Sequence, residues 1–223
     1  VINIICGEPT EVAQTLSKST IPNLITMIGS TETAKKVISD SSTSIKKYSM
    51  ELGGNAPFIV FDDADLDNAI NIGAAIKFGN CGQICVAANR FFVHEKVYDK
   101  FLNGLIEKAK NLKIGYSEDL DFEIGPLISK NSRDRITNLI KNTIDSGGNL
   151  EYGGRIPEMN GNWFEPTVIS GINESMSIFH EEIFGPVASI IKFKYDEEVL
   201  KQANKTQYGL ASYLFTKDKK RID

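Results

Sequence analysis

This sequence contains few cysteines and histidines, and its net charge is small. Its 223 residues include three cysteines and two histidines, and the formal net charge is -4. Three cysteines are too few for a disulfide framework, so a reducing compartment such as the cytoplasm is expected. A mildly acidic chain lacks the basic surface with which proteins hold nucleic acid. No apolar run approaches the ~20 residues of a membrane span, so no membrane partner is expected.

Recognised metal and nucleotide motifs are also missing. Cys6, Cys81, Cys85, His94 and His180 follow no known metal-ligand spacing, so no metal site is predicted. The sequence has neither a Walker loop nor the glycine-flanked serine of a nucleophile elbow. Cys81 lies four residues before Cys85, and a disulfide between the two stays open.

The first part of the chain has the pattern of a parallel α/β sheet. Hydrophobic residues make up 41% of the sequence and charged residues 24%, as in ordinary globular proteins. The apolar runs 2–6 and 23–29 and the alternating segment 45–52 predict strands. Between them, 11–16 and 30–40 predict helices, with Ser30 or Thr31 as the N-cap of the second. Such alternation of strands and helices is typical of α/β folds.

The second part, which begins near the glycines at 53–54, repeats this alternation. Strands are predicted at 57–61, 90–94, 149–152, 165–169, 187–193 and 211–216, and helices at 62–80, 95–112, 130–147 and 196–204. In helix 62–80 the apolar positions Leu66, Ile70 and Ala74 recur at helical spacing, and the series continues at Lys77 or Phe78. Two α/β units are therefore expected.

Both ends of the sequence have the pattern of a cut chain. It begins with Val1 inside a predicted strand, and it stops at Asp223 in what the pattern predicts as the opening of a helix. We therefore expect a piece of a longer polypeptide.

Four segments contain candidate functional residues, and each also has an ordinary structural interpretation. Cys85 lies between a predicted helix and a predicted strand, where its thiol could face a cleft, although a free cysteine is more often a buried core residue. Glu51, at a strand end before two glycines, is either a general base or a solvated capping residue. Ser30 opens a helix whose free N–H groups could bind an anion. Glu182 and Phe184 precede a Gly-Pro turn.

Together these segments resemble the aldehyde dehydrogenase superfamily. MELGGNAP (50–57) is similar to its glutamate signature and FGNCGQICVAAN (78–89) to its cysteine signature. IGST (28–31), IGPLIS (124–129), EEIFGPV (181–187) and ANKTQYGLASYLFT (203–216) also match, in the family's order and spacing. The resemblance covers essentially the whole chain and is strongest to the succinate-semialdehyde dehydrogenases and their lactaldehyde and glycolaldehyde relatives.

The resemblance implies oxidation of a small aldehyde to its carboxylic acid, with NAD or NADP as cofactor. Cys85 would form a thiohemiacetal and then a thioester, with its own backbone N–H holding part of the oxyanion, and Glu51 would activate the hydrolytic water. The implied cofactor contacts are Gly29 and Ser30 at the pyrophosphate, Leu52 and Gly53 by the nicotinamide, Glu182 on its ribose and Phe184 against its ring.

The resemblance also implies a domain plan and a substrate class. Residues 1–52 would be the second half of a Rossmann-like NAD(P)-binding domain, and 53–223 a catalytic domain with a parallel sheet in three layers, truncated at its C-terminal end. Two positions depart from the succinate-semialdehyde pattern: the arginine that helps to hold the substrate carboxylate is Gly79 here, and a redox-partner cysteine of some members is Ala87. Two substrates therefore stay open, succinate semialdehyde and a small hydroxyaldehyde.

Other functions stay open beside this one. The chain could be an incomplete remnant that keeps the fold and acts only by association, or half of a split enzyme that a complementary chain completes. A thiol–carboxylate pair could also hydrolyse esters without a cofactor. A homo-oligomer is expected, and half a parallel sheet would leave an apolar edge and face that favour association.

Overall fold

The chain divides into two compact units. The computed structural model describes residues 2–116 and 122–222, so Val1 and Asp223, the outer limits of the predicted domains, lie outside the described residues. The first unit ends at Gly53 and the second begins at Gly54. Both units are α/β, as the sequence predicts.

The first unit contains two helices and two parallel strands. Its elements are α1 (Pro9–Lys18), β1 (Leu24–Ile28), α2 (Thr31–Asp40), a 3-10 turn (Ser41–Thr43) and β2 (Lys47–Glu51). β1 and β2 pair in parallel, with Ile28 opposite Glu51. Helix α1 is longer than the predicted segment 11–16 because it begins at Pro9, where the fixed φ of proline suits the first helical turn.

The predicted strand at 2–6 is wrong. These residues form no regular structure, and Ile2, Ile4 and Ile5 are 90%, 87% and 69% exposed. An apolar run becomes a strand only where a neighbouring strand accepts and donates its backbone hydrogen bonds. Within the described part of the first unit, β1 and β2 pair with each other and with no third strand.

The second unit is built on six strands. Its elements are β3 (Ala56–Val60), α3 (Leu66–Phe78), a 3-10 turn (Gly79–Gly82), β4 (Ala88–His94), α4 (Tyr98–Asn111), α5 (Lys130–Asp145), β5 (Asn149–Tyr152), β6 (Thr167–Ser170), α6 (Ser177–His180), β7 (Val187–Phe193), α7 (Asp196–Ala203), β8 (Tyr213–Phe215) and α8 (Lys219–Ile222). The strand order is β5-β6-β7-β4-β3-β8, and only β5 and β6 pair antiparallel. Every helix and strand predicted for this unit is confirmed, with ends shifted by a few residues.

The sheet of the second unit lies between two layers of helices, which is the predicted three-layer arrangement. Phe58 and Val60 of β3 pack with residues of α3 and α4, whereas Ile59 packs with residues of α5 and α7. Strands buried on both faces are mostly apolar along their length, which explains the nearly continuous apolar runs in the sequence. In residues 2–116 and 122–222, no helix is long and apolar enough to cross a membrane.

A fully buried arginine ties this sheet to the helices around it. Arg90, on β4, donates from Nε and Nη2 to the carbonyl of Asn55 over 3.2 and 2.9 Å. It also donates to the carbonyls of Gln202 and Ala203, at the end of α7, over 3.0 and 2.9 Å. Burial lowers the pKa of Arg90 to about 10, so the guanidinium remains charged at neutral pH. It therefore joins the segment before β3 to the end of α7.

We expect Arg90→Met to destabilise the second unit, because the carbonyls of Asn55 and Ala203 lose the buried hydrogen bonds that Arg90 donates. The carbonyl of Gln202 also loses a donor but keeps its bond from the N–H of Lys205. The free energy of unfolding should fall by about 3 kcal/mol, since an unsatisfied buried polar group costs about 1–3 kcal/mol and the methionine restores only packing. Urea denaturation followed by the fluorescence of Trp163, which is buried in this unit, measures the loss. Arg155→Met, at an exposed arginine, is the matched control, and equal midpoints for both variants would contradict the prediction.

Candidate active site

Cys85 lies in a loop that the second unit holds at several points. The cysteine loop, residues 83–87, connects the 3-10 turn after α3 to β4, and Cys85 is half-buried within it. The side chain of Gln83 donates to the carbonyl of Pro126 over 3.2 Å and accepts from the N–H of Ile128 over 2.8 Å. The hydroxyl of Tyr213 donates to the carbonyl of Val86 over 2.8 Å. The loop is thus fixed by contacts on both sides of Cys85, as a nucleophile would require.

The turn before this loop has an unusual backbone. Asn80 and Cys81 have φ values of 49° and 56°, and Gly82 has a φ of +68°. A Cβ at residue 82 would overlap the carbonyl of Gly185, so only glycine allows this approach. This turn packs the cysteine loop against the segment that contains Glu182 and Phe184.

The second unit brings both Cys85 and Glu182 next to Gly54. The N–H of Gly54 donates to Oε1 of Glu182 over 3.0 Å. A Cβ at residue 54 would overlap the carbonyl oxygen of Cys85, so the two backbones are in close contact. Two predicted site residues that are 97 positions apart in sequence therefore share Gly54 as a neighbour. The signature MELGGNAP requires a glycine at this position for a steric reason.

The segment around Glu182 is also held in a strained shape. Arg135 of α5 donates to the backbone carbonyls of Glu182, over 3.3 Å, and of Ile183. Burial raises the pKa of Glu182, while the Gly54 N–H, Arg135 and Lys77 act in the opposite direction. Phe184 has a φ of 45° although it is not glycine, and its side chain is 37% exposed. Residues held in this region are found disproportionately at binding sites.

Two residues behind the site were missed as functional candidates. Lys77 of α3 is fully buried and donates to Oδ1 of Asn89 over 3.1 Å. Asn89 in turn donates to the carbonyl of Gly54 over 3.2 Å. Burial lowers the pKa of Lys77 to about 7. The signal that could have found Lys77 is its position in the apolar series of the helix, where a lysine is out of place.

The other predicted residues belong to the first unit. Glu51 is the last residue of β2, as predicted, and its side chain is exposed. The N–H of Gly29 donates to the carbonyl of Glu51 over 3.0 Å, so the IGST turn and the strand end lie side by side. Ser30 is the N-cap of α2, and its hydroxyl accepts from the N–H of Thr33 over 3.1 Å. Leu52 and Gly53, which close this unit, are half-buried.

The three cysteines differ sharply in environment. All are free thiols, with Cys6 exposed, Cys81 buried and Cys85 half-buried. Burial raises the pKa of Cys81 to about 12, so this thiol stays protonated and inert near neutral pH. Within the parts of the chain that the structure describes, no cluster of three or more His, Cys, Asp or Glu side chains could hold a metal ion. Cys85 is the thiol whose position suits chemistry.

The backbone of Cys85 is equally suited to such chemistry. Among the described residues, no acceptor is found for its N–H, although its carbonyl is in contact with Gly54. A free N–H beside a half-exposed sulfur can stabilise the oxygen of an aldehyde that the sulfur attacks. The arrangement can therefore support covalent addition of a carbonyl compound.

Known proteins are similar to this chain in both sequence and fold. The mitochondrial succinate-semialdehyde dehydrogenase of Oryza sativa subsp. japonica is 42% identical over 97% of this chain and 41% of its own length. The NADP(+) succinate-semialdehyde dehydrogenase of Escherichia coli K12 is 39% identical over 100% of this chain and 46% of its own length. The crystal structure of succinate-semialdehyde dehydrogenase from Burkholderia pseudomallei matches with a TM-score of 0.95 and 38% identity, over 98% of this chain and 45% of that chain.

The chain thus spans less than half the length of these relatives. The family assignment does not depend on the missing length, because the model of the aldehyde dehydrogenase family matches residues 1–223. The α/β fold and the order of the motifs agree with that match. The chain belongs to the aldehyde dehydrogenase family.

Proposed function

We propose that the protein contributes the nucleophile and part of the cofactor site to an NAD(P)-dependent aldehyde dehydrogenase. The observation that carries this proposal is the held, half-exposed thiol of Cys85, whose loop contacts the same Gly54 peptide as Glu182. Cys81, four residues earlier, has no such access. Family membership makes aldehyde oxidation the chemistry to test first.

In the proposed mechanism the Cys85 thiolate attacks the aldehyde carbon and forms a thiohemiacetal. The aldehyde oxygen becomes an oxyanion, and the backbone N–H of Cys85 donates a hydrogen bond to it. Loss of a hydride from the same carbon leaves a thioester on Cys85. Glu51 then takes a proton from water, which attacks the thioester and releases the acid and the thiolate.

The residues present fit part of a dinucleotide site. Helix α2 has ten residues, and Ser30 caps it by accepting from the N–H of Thr33. The N–H groups of Thr31 and Glu32 have no acceptor within the helix and are available to a pyrophosphate. Gly29 lies next to this helix start, and Leu52 and Gly53 follow Glu51. We assign Glu182 to the nicotinamide ribose and Phe184 to the side of the ring. When bound, NAD or NADP supplies the acceptor for the hydride.

The proposed substrate is a small aldehyde, and Gly79 bears on its charge. Gly79 has a φ of -52°, and a Cβ built there would have no heavy atom within 4 Å. The position is therefore open, and it carries no cation that could hold a carboxylate. The lack of a cation favours a small hydroxyaldehyde over succinate semialdehyde. Succinate semialdehyde is tested as well, because it appears in the names of the relatives.

A second proposal is that this chain completes its site only with further polypeptide. Nine isoleucine and leucine side chains of the first unit are exposed: Ile2, Ile4, Ile5, Leu16, Ile21, Leu24, Ile28, Ile38 and Ile45. Apolar residues in such number at one small α/β unit favour association with more of its own chain, a complementary chain or a second copy. The catalytically incomplete fragment and the homo-oligomer are therefore both kept as alternatives.

The first prediction tests the reaction itself. Purified protein is offered lactaldehyde, glycolaldehyde or succinate semialdehyde with NAD or NADP, and reduced nicotinamide is followed by absorbance. We expect Cys85→Ala to lose about a thousandfold or more in kcat, since removal of a nucleophile costs at least this much. Glu51→Gln should release about one equivalent of reduced cofactor per site and then stall, because the thioester forms but is not hydrolysed.

Cys6→Ser, at an exposed thiol, is the control for that experiment and should retain the wild-type rate. Turnover that survives in Cys85→Ala would exclude the proposed mechanism. A folded wild-type protein without any turnover would instead support the alternative of an incomplete site.

The second prediction concerns the reactivity of the two neighbouring thiols. In a Cys6→Ser background at pH 8, iodoacetamide should label Cys85 at least about tenfold faster than Cys81, because only the former is accessible and the latter stays protonated. Mass spectrometry of peptides locates the label. Denaturation should make the two thiols react at similar rates, and faster labelling of Cys81 in the folded protein would contradict the assignment.

The third prediction concerns substrate choice. Gly79→Arg places a cation in open space at an ordinary backbone conformation, so the protein should still fold. We expect kcat/KM for succinate semialdehyde to rise about tenfold relative to lactaldehyde, as expected for one new charge-assisted hydrogen bond. Gly79→Gln is the uncharged control. An equal change for both aldehydes would show that residue 79 lies away from the substrate carboxylate.

A further inference from the structure

A chain of hydrogen bonds runs from the core of the second unit to the cysteine loop. It starts at Lys77, whose side chain is fully buried and whose Nζ donates to Oδ1 of Asn89 over 3.1 Å. Asn89 is 2% exposed, and its Nδ2 donates to the carbonyl of Gly54 over 3.2 Å. Because Nδ2 is committed to that carbonyl, Oδ1 has to face Lys77. The orientation of the amide is thus set by both of its partners.

The chain ends at the peptide on which both site residues rest. The N–H of Gly54 donates to Oε1 of Glu182 over 3.0 Å, and its Cα is in close contact with the carbonyl oxygen of Cys85. A shift of Gly54 would therefore move the backbone of the nucleophile and the carboxylate together. The support for Gly54 comes from β4 of the sheet, through Asn89.

A lysine is a costly residue for this place in the fold. Lys77 takes up a position in the apolar series of α3, which an unbranched apolar residue could fill without burying an amine. Burial lowers its pKa to about 7, although the neighbouring Cys81 and Glu182 act in the opposite direction. Buried charges of this kind are weak evidence for stability. A role in the geometry of the site accounts for the lysine better than a role in folding.

We propose that Lys77, acting through Asn89, is a positioning residue that holds the Gly54 peptide and thereby fixes Cys85 relative to Glu182. This inference rests on the proposed role of Cys85 as the nucleophile. Lys77 contacts neither substrate nor cofactor in this scheme, and its effect passes through one amide side chain.

Two variants interrupt the chain at different links. Lys77→Met removes the amine and keeps the length of the side chain, while Asn89→Asp keeps the acceptor for Lys77 and removes the donor to Gly54. We expect each to lower kcat about 10- to 100-fold, since a misplacement of about 1 Å can cost 10²-fold, with KM for the aldehyde changed less than about threefold. The double variant should be no slower than the slower single variant, because both break one connection.

The matched control is Lys192→Met. Lys192 lies on β7 of the same sheet, with its ammonium 4.3 Å from the centre of the Tyr98 ring, and it is not part of this chain of hydrogen bonds. It should leave kcat unchanged. A kcat of Lys77→Met within about twofold of wild type would overturn the proposal.

Thermal unfolding separates positioning from a merely structural role. The pKa of Lys77 is about 7 in the folded protein, against 10.5 for an ordinary lysine. Between these pH values the unfolded state binds more protons, so the stability of the wild type rises with pH. Lys77→Met lacks this dependence. Its Tm relative to wild type should therefore be most favourable at pH 6 and decline as the pH rises toward 10. If Lys77→Met instead has a lower Tm than wild type at every pH, in step with its loss of kcat, the lysine is structural and the proposal is overturned.

Hydrogen exchange keeps the inference testable if the protein shows no dehydrogenase activity. Lys77→Met and Asn89→Asp should speed exchange in peptides that cover 53–57 and 84–88 at least about tenfold, while exchange in α4 stays as in wild type. That result without turnover would mean that the positioning is real and the proposed function fails. Unchanged exchange in both peptides would overturn the positioning role whatever the activity.

Discussion

The close contact between Gly54 and the carbonyl oxygen of Cys85 is the constraint on which the candidate site depends. Any side chain at residue 54 would overlap that oxygen, so the loop and the segment before β3 can pack only with glycine there. The same glycine donates its N–H to Glu182 over 3.0 Å. One residue without a side chain therefore contacts both Cys85 and the carboxylate of Glu182, which is far away in the sequence.

The interior behind this contact is more polar than a sheet core needs to be. Lys77, Asn89 and Arg90 are all buried, and each donates to an amide or a backbone carbonyl rather than to a carboxylate. Burying such groups costs free energy, and a buried network compensates this cost only if every polar group in it has a hydrogen-bond partner. Their hydrogen bonds are directional, whereas apolar side chains only fill volume. Asn89 and Arg90 bind peptides next to β3 and at the carboxyl end of α7, and Lys77 orients the amide of Asn89.

The sequence predicted most elements but not the connections behind the site. Continuous apolar runs and helical periodicity located the strands and helices of the second unit, because a sheet buried on both faces leaves a clear pattern. The same kind of pattern led to the wrong prediction of a strand at 2–6, because an apolar run does not reveal whether a partner strand exists. Cys85 and Glu182 could be named from motifs, whereas the bond from Lys77 through Asn89 joins residues whose spacing follows no local rule.

The two units carry different shares of the proposed chemistry, and they differ in how well their apolar residues are buried. The second unit has a six-stranded sheet with helices on both faces, and its thiol is held by contacts from several elements. In the part of the first unit that the structure describes, two strands pair, and Ile28 and Ile45 are 82% and 100% exposed. Exposure on that scale is costly for a unit with so little sheet. The contacts that hold the Cys85 loop thus lie entirely within the second unit, whereas the proposed cofactor residues Gly29 and Ser30 directly follow the exposed Ile28.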